Sequence, residues 1–318
     1  MKLLKTLAGA AVALAIAGPA MAQQIIVVTH GQANDPFWSV VKNGVEEAAK
    51  NTGATVDYRA PETFDMVQMG QLIDAAVNQE PDGLVVSIPD ADALGPSIER
   101  AVQAGIPVIS MNSGSDVSKK LGALLHVGQD EFTAGKTAGE KLKEMGGTTA
   151  LCVNQEVGNV SLDQRCAGFE EGFGGKVEVV PTSNDPTEVK SKVQAALESN
   201  QDVDTILGLG AATVGEPAVE AVQAVGRGDS VRVASFDLSA GFLKAVADGK
   251  AAFAIDQQQF LQGYLPVAFL ALNAKYGLMP GGNVPSGPNL VTEDKASQVI
   301  EALVQGHSLS LIPTGIIT

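Results

Sequence analysis

Residues 83–110 read GLVVSIPDADALGPSIERAVQAGIPVIS. An apolar run of strand length, 83–88, ends at Pro89-Asp90; an amphipathic segment of helix length, 93–104, follows; a second β-branched run begins at 106. Strands joined through a helix of this length suit parallel pairing, since a parallel connection needs a long crossover. The same unit repeats outward in both directions. Upstream lie a strand at 25–29, a helix at 36–51, a strand at 55–58 and a helix at 66–79. Pro36 suits the first turn of its helix, and Val40, Val41, Val45, Ala48 and Ala49 share one face of it. A strand at 123–127 closes this series.

A second series follows. Helices are expected at 132–145, 162–173, 187–199, 214–225, 240–248 and 260–276, with strands at 150–154, 177–180, 205–209, 231–236 and 252–256. Strands flanked by helices of this length call for parallel sheets covered on both faces. Two such runs in succession give the expected fold class: α/β, with two doubly wound parallel-sheet domains.

The chain ends bear on location. Lys2 and Lys5 precede an uncharged apolar run at 7–17, Gly18-Pro19 break it, and Ala20-Met21-Ala22 offers a small-x-small cleavage pattern. These three parts compose a secretory signal peptide over residues 1–22, with a core too short to span a bilayer permanently. The 296 residues that follow suffice for two domains. Removing the two lysines takes the formal charge from -15 to -17, which opposes nucleic acid and anionic lipid as partners. No stable membrane insertion is expected, and the protein is expected to be a monomer. Cys152 and Cys166 would meet an oxidising compartment, so either they form a disulfide between a strand and the next helix or they are two small buried thiols. Without a nearby histidine they make no zinc site, and no metal or cofactor is expected.

Ligands of doubly wound sheets bind beyond the carboxyl ends of the strands. The residues found there are Asn34 to Trp38, Pro89-Asp90, Asn112-Ser113, Asn159 to Arg165, Gly210 to Thr213, Asp237 and Asp256 to Gln259. Gly208-Leu209-Gly210 is a degenerate dinucleotide fingerprint; its third glycine is replaced by Thr213, so a tight turn is the simpler reading. His30, His126 and His307 lack the setting of a catalytic base, and there is no Gly-x-Ser-x-Gly elbow or phosphate loop. Phe37 and Trp38 are the more informative pair in a chain with only 4 % aromatic residues. Sugar rings stack their CH faces on such side chains while carboxylates, amides and guanidinium groups take the hydroxyls. Asp35, Asn112, Asp163, Arg165, Asp237 and Gln257 offer those groups at the strand ends.

This constellation resembles the periplasmic sugar-binding proteins of ABC importers, in the ribose-binding class (the type I periplasmic binding proteins), relatives of the ligand-sensing domain of the lactose-repressor family. The resemblance is carried by Asn34 to Trp38, Ala104 to Ile109, Val127 to Asp130, Phe236-Asp237 and Ile255 to Gln259 with Gly263-Tyr264, in order along nearly all of the mature chain. It implies two Rossmann-like lobes joined by a three-stranded hinge, with crossings near residues 128, 258 and 289. The lobes would be 23–128 plus 259–289 and 129–258 plus 290–318. It also implies a small-molecule ligand in the cleft, hinge closure, and docking on an ABC transporter permease in the periplasm. Asp35, Phe37, Trp38, Asp237 and Gln257 carry over by position as ligand contacts.

Departures from the family bear on specificity. Asn112-Ser113 stand where ribose-binding relatives have an Asp-Arg pair, Asp163 aligns with their ligand arginine, and Ala211 or Ala212 replaces an asparagine. Arg165 would then be a structural arginine. Asp163-Gln164 and the nearby alanines are similar to the autoinducer-2 binding branch, so a pentose, another sugar, a polyol or such a signal all fit. An exported carbohydrate-active enzyme is a further alternative: the sequence shows no nucleophile-base constellation, while its many carboxylates leave a glycosidase pair open. A repressor would need an N-terminal helix-turn-helix and a basic face.

Overall fold

The computed structural model describes residues 22–31 and 35–304; the expected signal peptide up to residue 21, Asn34, His307 and the chain from 305 onward lie outside the described residues. Two six-stranded sheets are built in turn. The first series comprises β1 (Gln24–Val28), α1 (Pro36–Thr52), β2 (Thr55–Arg59), α2 (Met66–Val77), β3 (Gly83–Val86), α3 (Ala91–Gln103), β4 (Val108–Met111) and β5 (His126–Gly128). The second comprises α4 (Glu131–Glu144), β6 (Thr149–Asn154), α5 (Val160–Phe173), β7 (Lys176–Pro181), α6 (Pro186–Ser199), β8 (Thr205–Gly208), α7 (Glu216–Ala224), β9 (Arg232–Phe236), α8 (Ala240–Ala247) and β10 (Phe253–Asp256). The chain then returns through α9 (Gln259–Tyr276) and β11 (Val284–Pro285), and ends in β12 (Asn289–Thr292) and α10 (Glu293–Val304).

Strand order is β11-β5-β4-β3-β1-β2 in one sheet and β12-β10-β9-β8-β6-β7 in the other. All neighbours are parallel except β10 and β12. The expected α/β class with two doubly wound sheets is therefore borne out, with one antiparallel edge strand. Order reverses between β1 and β3, and again between β6 and β8, which places a crevice beyond the carboxyl ends at each switch point. The chain passes between sheets three times: after β5, after β10 and after β11.

Both faces of each sheet are dry. Alternate residues of β1 point opposite ways: Ile26 and Val28 pack with Met69 and Ile73 of α2 and Leu94 and Ile98 of α3, while Ile25 and Val27 pack with Val41 and Val45 of α1 and Val267 and Leu270 of α9. Burying each such side chain is worth about 1.5–3 kcal/mol, so the sheet centres anchor both layers. Aspartates start several helices: Asp35 accepts from Phe37 N at 2.9 Å and Asp130 from Thr133 N at 2.7 Å, satisfying donors that the first turn leaves free.

Two helix pairs pack backbone against backbone. A Cβ at Gly44 of α1 would stand 2.2 Å from the Phe260 carbonyl oxygen, and one at Gly263 of α9 2.1 Å from that of Val41. In the second lobe, Gly135 of α4 and Gly168 of α5 make the same approach, 2.0 Å from the carbonyls of Arg165 and Phe132. Since α4 and α9 are the helices that follow the first two crossings, each is clamped to its own lobe as soon as the chain arrives.

Cys152 of β6 and Cys166 of α5 are bonded, both buried. Closing a loop of 14 residues is worth about 3 kcal/mol by the chain-entropy model. The protein unfolded without reductant should show no reactive thiol and the reduced protein two; two thiols in both would contradict the bond.

Local departures have simple causes. The expected strand at 123–127 is shifted to β5, although Leu124 N still donates to Val108 O and Leu125 O accepts from Ser110 N of β4. The expected helix at 214–225 opens with a π-helical turn, Ala211–Gly215, before α7. β11, β12 and α10 lie beyond the elements expected from the sequence: β11 has only two residues, β12 is an antiparallel edge strand outside the strand-helix repeat, and α10 follows it directly.

Candidate ligand-binding cleft

The two switch points face each other, and one cavity lies between them. From the first lobe it is lined by His30, Asp35, Phe37, Trp38 and Asn112; from the second by Gln155, Glu156, Leu162, Arg165, Leu209, Asp237 and Gln257. The walls stand close together: the centre of a water-sized sphere has only about 30 Å³ in which to move. Across the rim, Val160 N donates to Pro89 O at 3.0 Å and Gln164 Nε2 to Asp116 Oδ2 at 3.2 Å. The lobes are thus in contact around the cavity, a closed arrangement.

The aromatic wall follows from helix α1 starting directly at the cleft. Trp38 packs edge-on against Phe37, centroids 5.1 Å apart, and against the His30 ring at 4.7 Å. His30 is fixed by Ser87, whose Oγ lies 2.8 Å from Nδ1 and accepts from the His30 amide at 3.0 Å. Burial, then the charge of Arg165, pull the His30 pKa down to about 3, so the ring is neutral.

Arg165 organises the opposite wall. Its Nε and Nη2 donate to Glu131 Oε2 and Oε1 at 2.5 and 3.1 Å, and its guanidinium sits 4.4 Å over the Phe236 ring. Further contacts at 3.4 Å reach Leu209 O and Gln257 Oε1. A buried cation matched in this bidentate way is neutralised locally. The other carboxyls at the cleft are left without a cationic partner of their own. Burial pushes Asp35 up to about 6, with the Phe37 amide opposing and the Glu156 charge adding to the rise. Burial pushes Asp237 up to about 7 against the pull of Arg165 and of Gln257, whose Nε2 donates to Oδ1 at 2.5 Å. Glu156 is also raised by burial, though Asn159 Nδ2 donates to it at 2.8 Å. The cleft therefore offers carboxyl oxygens in excess of cations. Such a surface accepts hydrogens from hydroxyl groups and repels anions.

Two cleft residues hold left-handed backbone, Asn112 at φ 61° and Asp237 at φ 72°. Asn and Asp tolerate this region better than other side chains, and the conformation turns each away from its sheet at the strand end. Asn112 Nδ2 donates to Gln262 Oε1 at 3.1 Å and its Oδ1 accepts from Ser113 Oγ at 2.9 Å.

Residues 25–277 match the family model described as periplasmic binding protein domain. The chain belongs to the periplasmic binding protein family. Among solved structures, this periplasmic binding protein is similar to a carbohydrate transporter from Acidothermus cellulolyticus 11B in complex with myo-inositol, with 34 % identity, 90 % of this chain and 99 % of that one covered, and a TM-score of 0.85. Among curated proteins it is similar to the ribose import binding protein of Salmonella typhimurium, 27 % identical over 270 residues, covering 81 % of this chain and 87 % of the relative. It is also similar to a xylose/arabinose-binding protein of Sulfolobus acidocaldarius, 24 % identical, with 92 % and 76 % covered. These relatives are binding proteins. No helix among the described residues is long and apolar enough to cross a membrane.

Of the residues expected at the site of this binding protein, Asp35, Phe37, Trp38, Asn112, Arg165, Asp237 and Gln257 line the one cavity. Four others do not. Asp90 caps α3, accepting from Asp92 N and Ala93 N. Ser113 is buried behind Asn112. Asp163 accepts from Asn154 Nδ2 at 3.0 Å, and Ala211, the first residue of the π-helical turn, packs into the core while Leu209 lines the cavity. His30, Gln155, Glu156 and Leu209 fall outside the strand-end residues expected from the sequence, whereas Leu162 lies within the stretch 159–165 named there. The first three immediately follow β1 and β6, the switch-point strands, so weighting those two strand ends above the others would have found them.

Proposed function

We propose that this protein is an extracytoplasmic solute receptor that captures a small, uncharged, polyhydroxylated ring between its lobes and delivers it to an ABC permease. The carrying observation is a cavity at the two opposed switch points, with aromatic edges on one side and carboxyl and amide groups on the other. The lobes are read as 23–128 plus 259–289 and 129–258 plus 290–318, moving about the three crossings, with residues 1–22 removed on export to the periplasm. The role is binding, not catalysis, and the monomer is the working unit.

A cyclitol is favoured over a sugar acid or phosphate. The solved structure with 34 % identity holds myo-inositol, and an inositol offers a hydroxyl hydrogen at every ring carbon to a cleft rich in carboxyl acceptors. A pentose or hexose is the second reading, supported by the ribose and xylose/arabinose relatives. A thermal-shift screen of the mature protein against cyclitols, sugars, sugar acids and autoinducer-2 tests this. Ligand at 100 times its Kd adds about 2.7 kcal/mol, so a neutral polyol should raise the unfolding midpoint and the sugar acids should not. A shift with anionic compounds alone would refute the proposal.

Closing the walls on a ring should also change the surroundings of Trp38, the only tryptophan. Its emission should shift or change intensity in proportion to occupancy; an unaltered spectrum at saturation would remove Trp38 from the contact set. The cleft should also be pH-sensitive. Ring hydroxyls donate to ionised carboxylates, so binding favours the deprotonated forms of Asp35 and Asp237, whose values near 6 and 7 lie above the usual carboxylate range. Affinity should fall as pH drops through 7 to 6, with protons released on binding. Calorimetry in two buffers of different ionisation enthalpy reads this directly, and proton uptake would contradict it.

A further inference from the structure

Gln262 is not part of the cavity wall, yet two residues of that wall bond to it. It lies in the first turn of α9 and is fully buried. Its Oε1 accepts from Asn112 Nδ2 at 3.1 Å. Its Nε2 reaches three acceptors: the Gln257 carbonyl oxygen at 3.0 Å, Gln257 Oε1 at 3.2 Å and Ser286 Oγ at 3.0 Å. Helical side chains lean toward the N-terminus of their helix, and Gln257 stands just before α9 begins, so Gln262 reaches back to it.

Hydrogen-bond accounting makes this arrangement one-way. A backbone carbonyl only accepts, so the Gln262 atom beside the Gln257 carbonyl is the nitrogen. Its oxygen then faces Asn112, whose Nδ2 must donate and whose Oδ1 takes the Ser113 hydroxyl at 2.9 Å. Gln257 Oε1 likewise receives donors, Gln262 Nε2 and Arg165 Nη2, which turns Gln257 Nε2 to Asp237 Oδ1. The directions of two amides in opposite walls of the cleft thus descend from one buried side chain. Asn112 Nδ2 and Gln257 Nε2 each carry two hydrogens, and these bonds take one apiece.

The same side chain touches the hinge. Gln257 directly follows β10 and Ser286 directly follows β11, so the second and third crossings meet at Gln262 Nε2. Ser286 N donates to Gly128 O at 2.9 Å, which joins the first crossing to them. A Cβ at Gly287 would stand 3.0 Å from both the Asp256 carbonyl oxygen and Gln129 Oε1, so the three segments lie against one another.

We propose that Gln262 is a positioning residue for capture: it aims the Asn112 and Gln257 amides so that the second hydrogen of each meets a hydroxyl oxygen of the guest, and it ties both to the third crossing through Ser286. This rests on the reading of the cleft as a polyol site. Where carboxyl oxygens take the hydroxyl hydrogens of a ring, these two N–H groups serve its hydroxyl oxygens.

The first test needs no ligand. In the isotope-labelled mature protein, the two side-chain amides are assigned by NMR from the signals lost in Asn112→Gly, which suits the left-handed backbone there, and in Gln257→Ala. Gln262→Met removes both polar atoms from a side chain of similar length, and hydrogen exchange with water should quicken at both amides. Gln262→Glu keeps an oxygen for Asn112 but withdraws at least one N–H from Gln257, so exchange should quicken at Gln257 and stay slow at Asn112. If the methionine variant does not fold, the glutamate variant decides alone. The second test is calorimetry with myo-inositol. Gln262→Met should weaken Kd about tenfold or more, and by a smaller factor in an Asn112→Gly background, where a residue it acts through is already gone. Unchanged exchange at Asn112 in folded Gln262→Met, exchange at Gln257 unchanged in Gln262→Glu, or an equal loss of affinity in both backgrounds would each overturn the proposal. A parent that binds no neutral polyol or sugar would refute the polyol reading instead, and the ligand-free exchange would still decide whether Gln262 positions the two amides.

Discussion

Arg165→Met should destabilise the protein by about 3–5 kcal/mol, the cost of leaving a buried carboxylate without its partner. Both side chains of the pair are almost fully buried, 4 % and 1 % exposed, so solvent screens little of the loss. Glu131 would keep only the hydrogen bond from Gln129 Nε2. Methionine fills part of the space and lies against Phe236 as the guanidinium does, which isolates the electrostatic cost from a cavity. The double variant Arg165→Met/Glu131→Leu should recover much of the stability, because the desolvated charge is gone. Urea unfolding measures both. A single variant within 1 kcal/mol of the parent, or a double variant no better than the single, would show that the pair is not what holds α4 to α5 at the cleft.

Asp237→Asn should cost about 1.5–3 kcal/mol of ligand binding at pH 8, a loss of about 10- to 150-fold in Kd. Asparagine suits the left-handed backbone at φ 72°, and its amide oxygen can still accept from Gln257, so the change is confined to charge. The pH series distinguishes loss of charge from loss of shape. Below about 6 the parent carboxyl is itself protonated, given a value near 7, so the two proteins should converge in affinity as pH falls. A gap that stays constant from pH 8 to 5.5 would mean that Asp237 acts by position and not by charge.

The alternation of β-branched runs with amphipathic segments was enough to read two doubly wound sheets, because parallel strands buried on both faces leave near-continuous apolar stretches such as Leu84 to Val86. The third crossing is different: β11 pairs through Val284 and Pro285 alone, and so short a strand has no pattern to detect. At the cleft, Asp35, Trp38 and Asp237 were legible because they follow strands in the first-order rule for such sheets. Asp90 and Asp163 obey the same rule yet serve a helix cap and Asn154, a division that sequence position does not reveal. His30 looked like an isolated histidine until the fold placed it against Trp38 and Ser87. Glu131 lies just before the helix expected from 132, and only the packing of α4 on α5 brings it to Arg165.

The glycine contacts between α1 and α9, and between α4 and α5, have a mechanical consequence. Carbonyl oxygens pressed into the place of missing Cβ atoms leave these helix pairs no slack to slide, so each lobe carries load as a stiff lever. If the lobes close on a guest as proposed, strain from the grip is passed to the three connecting segments and not absorbed within the lobes. The angle of closing is then set by the joints and the shape of the guest. On the proposed function, side chains at the mouth can change to suit new guests without altering how the lobes close.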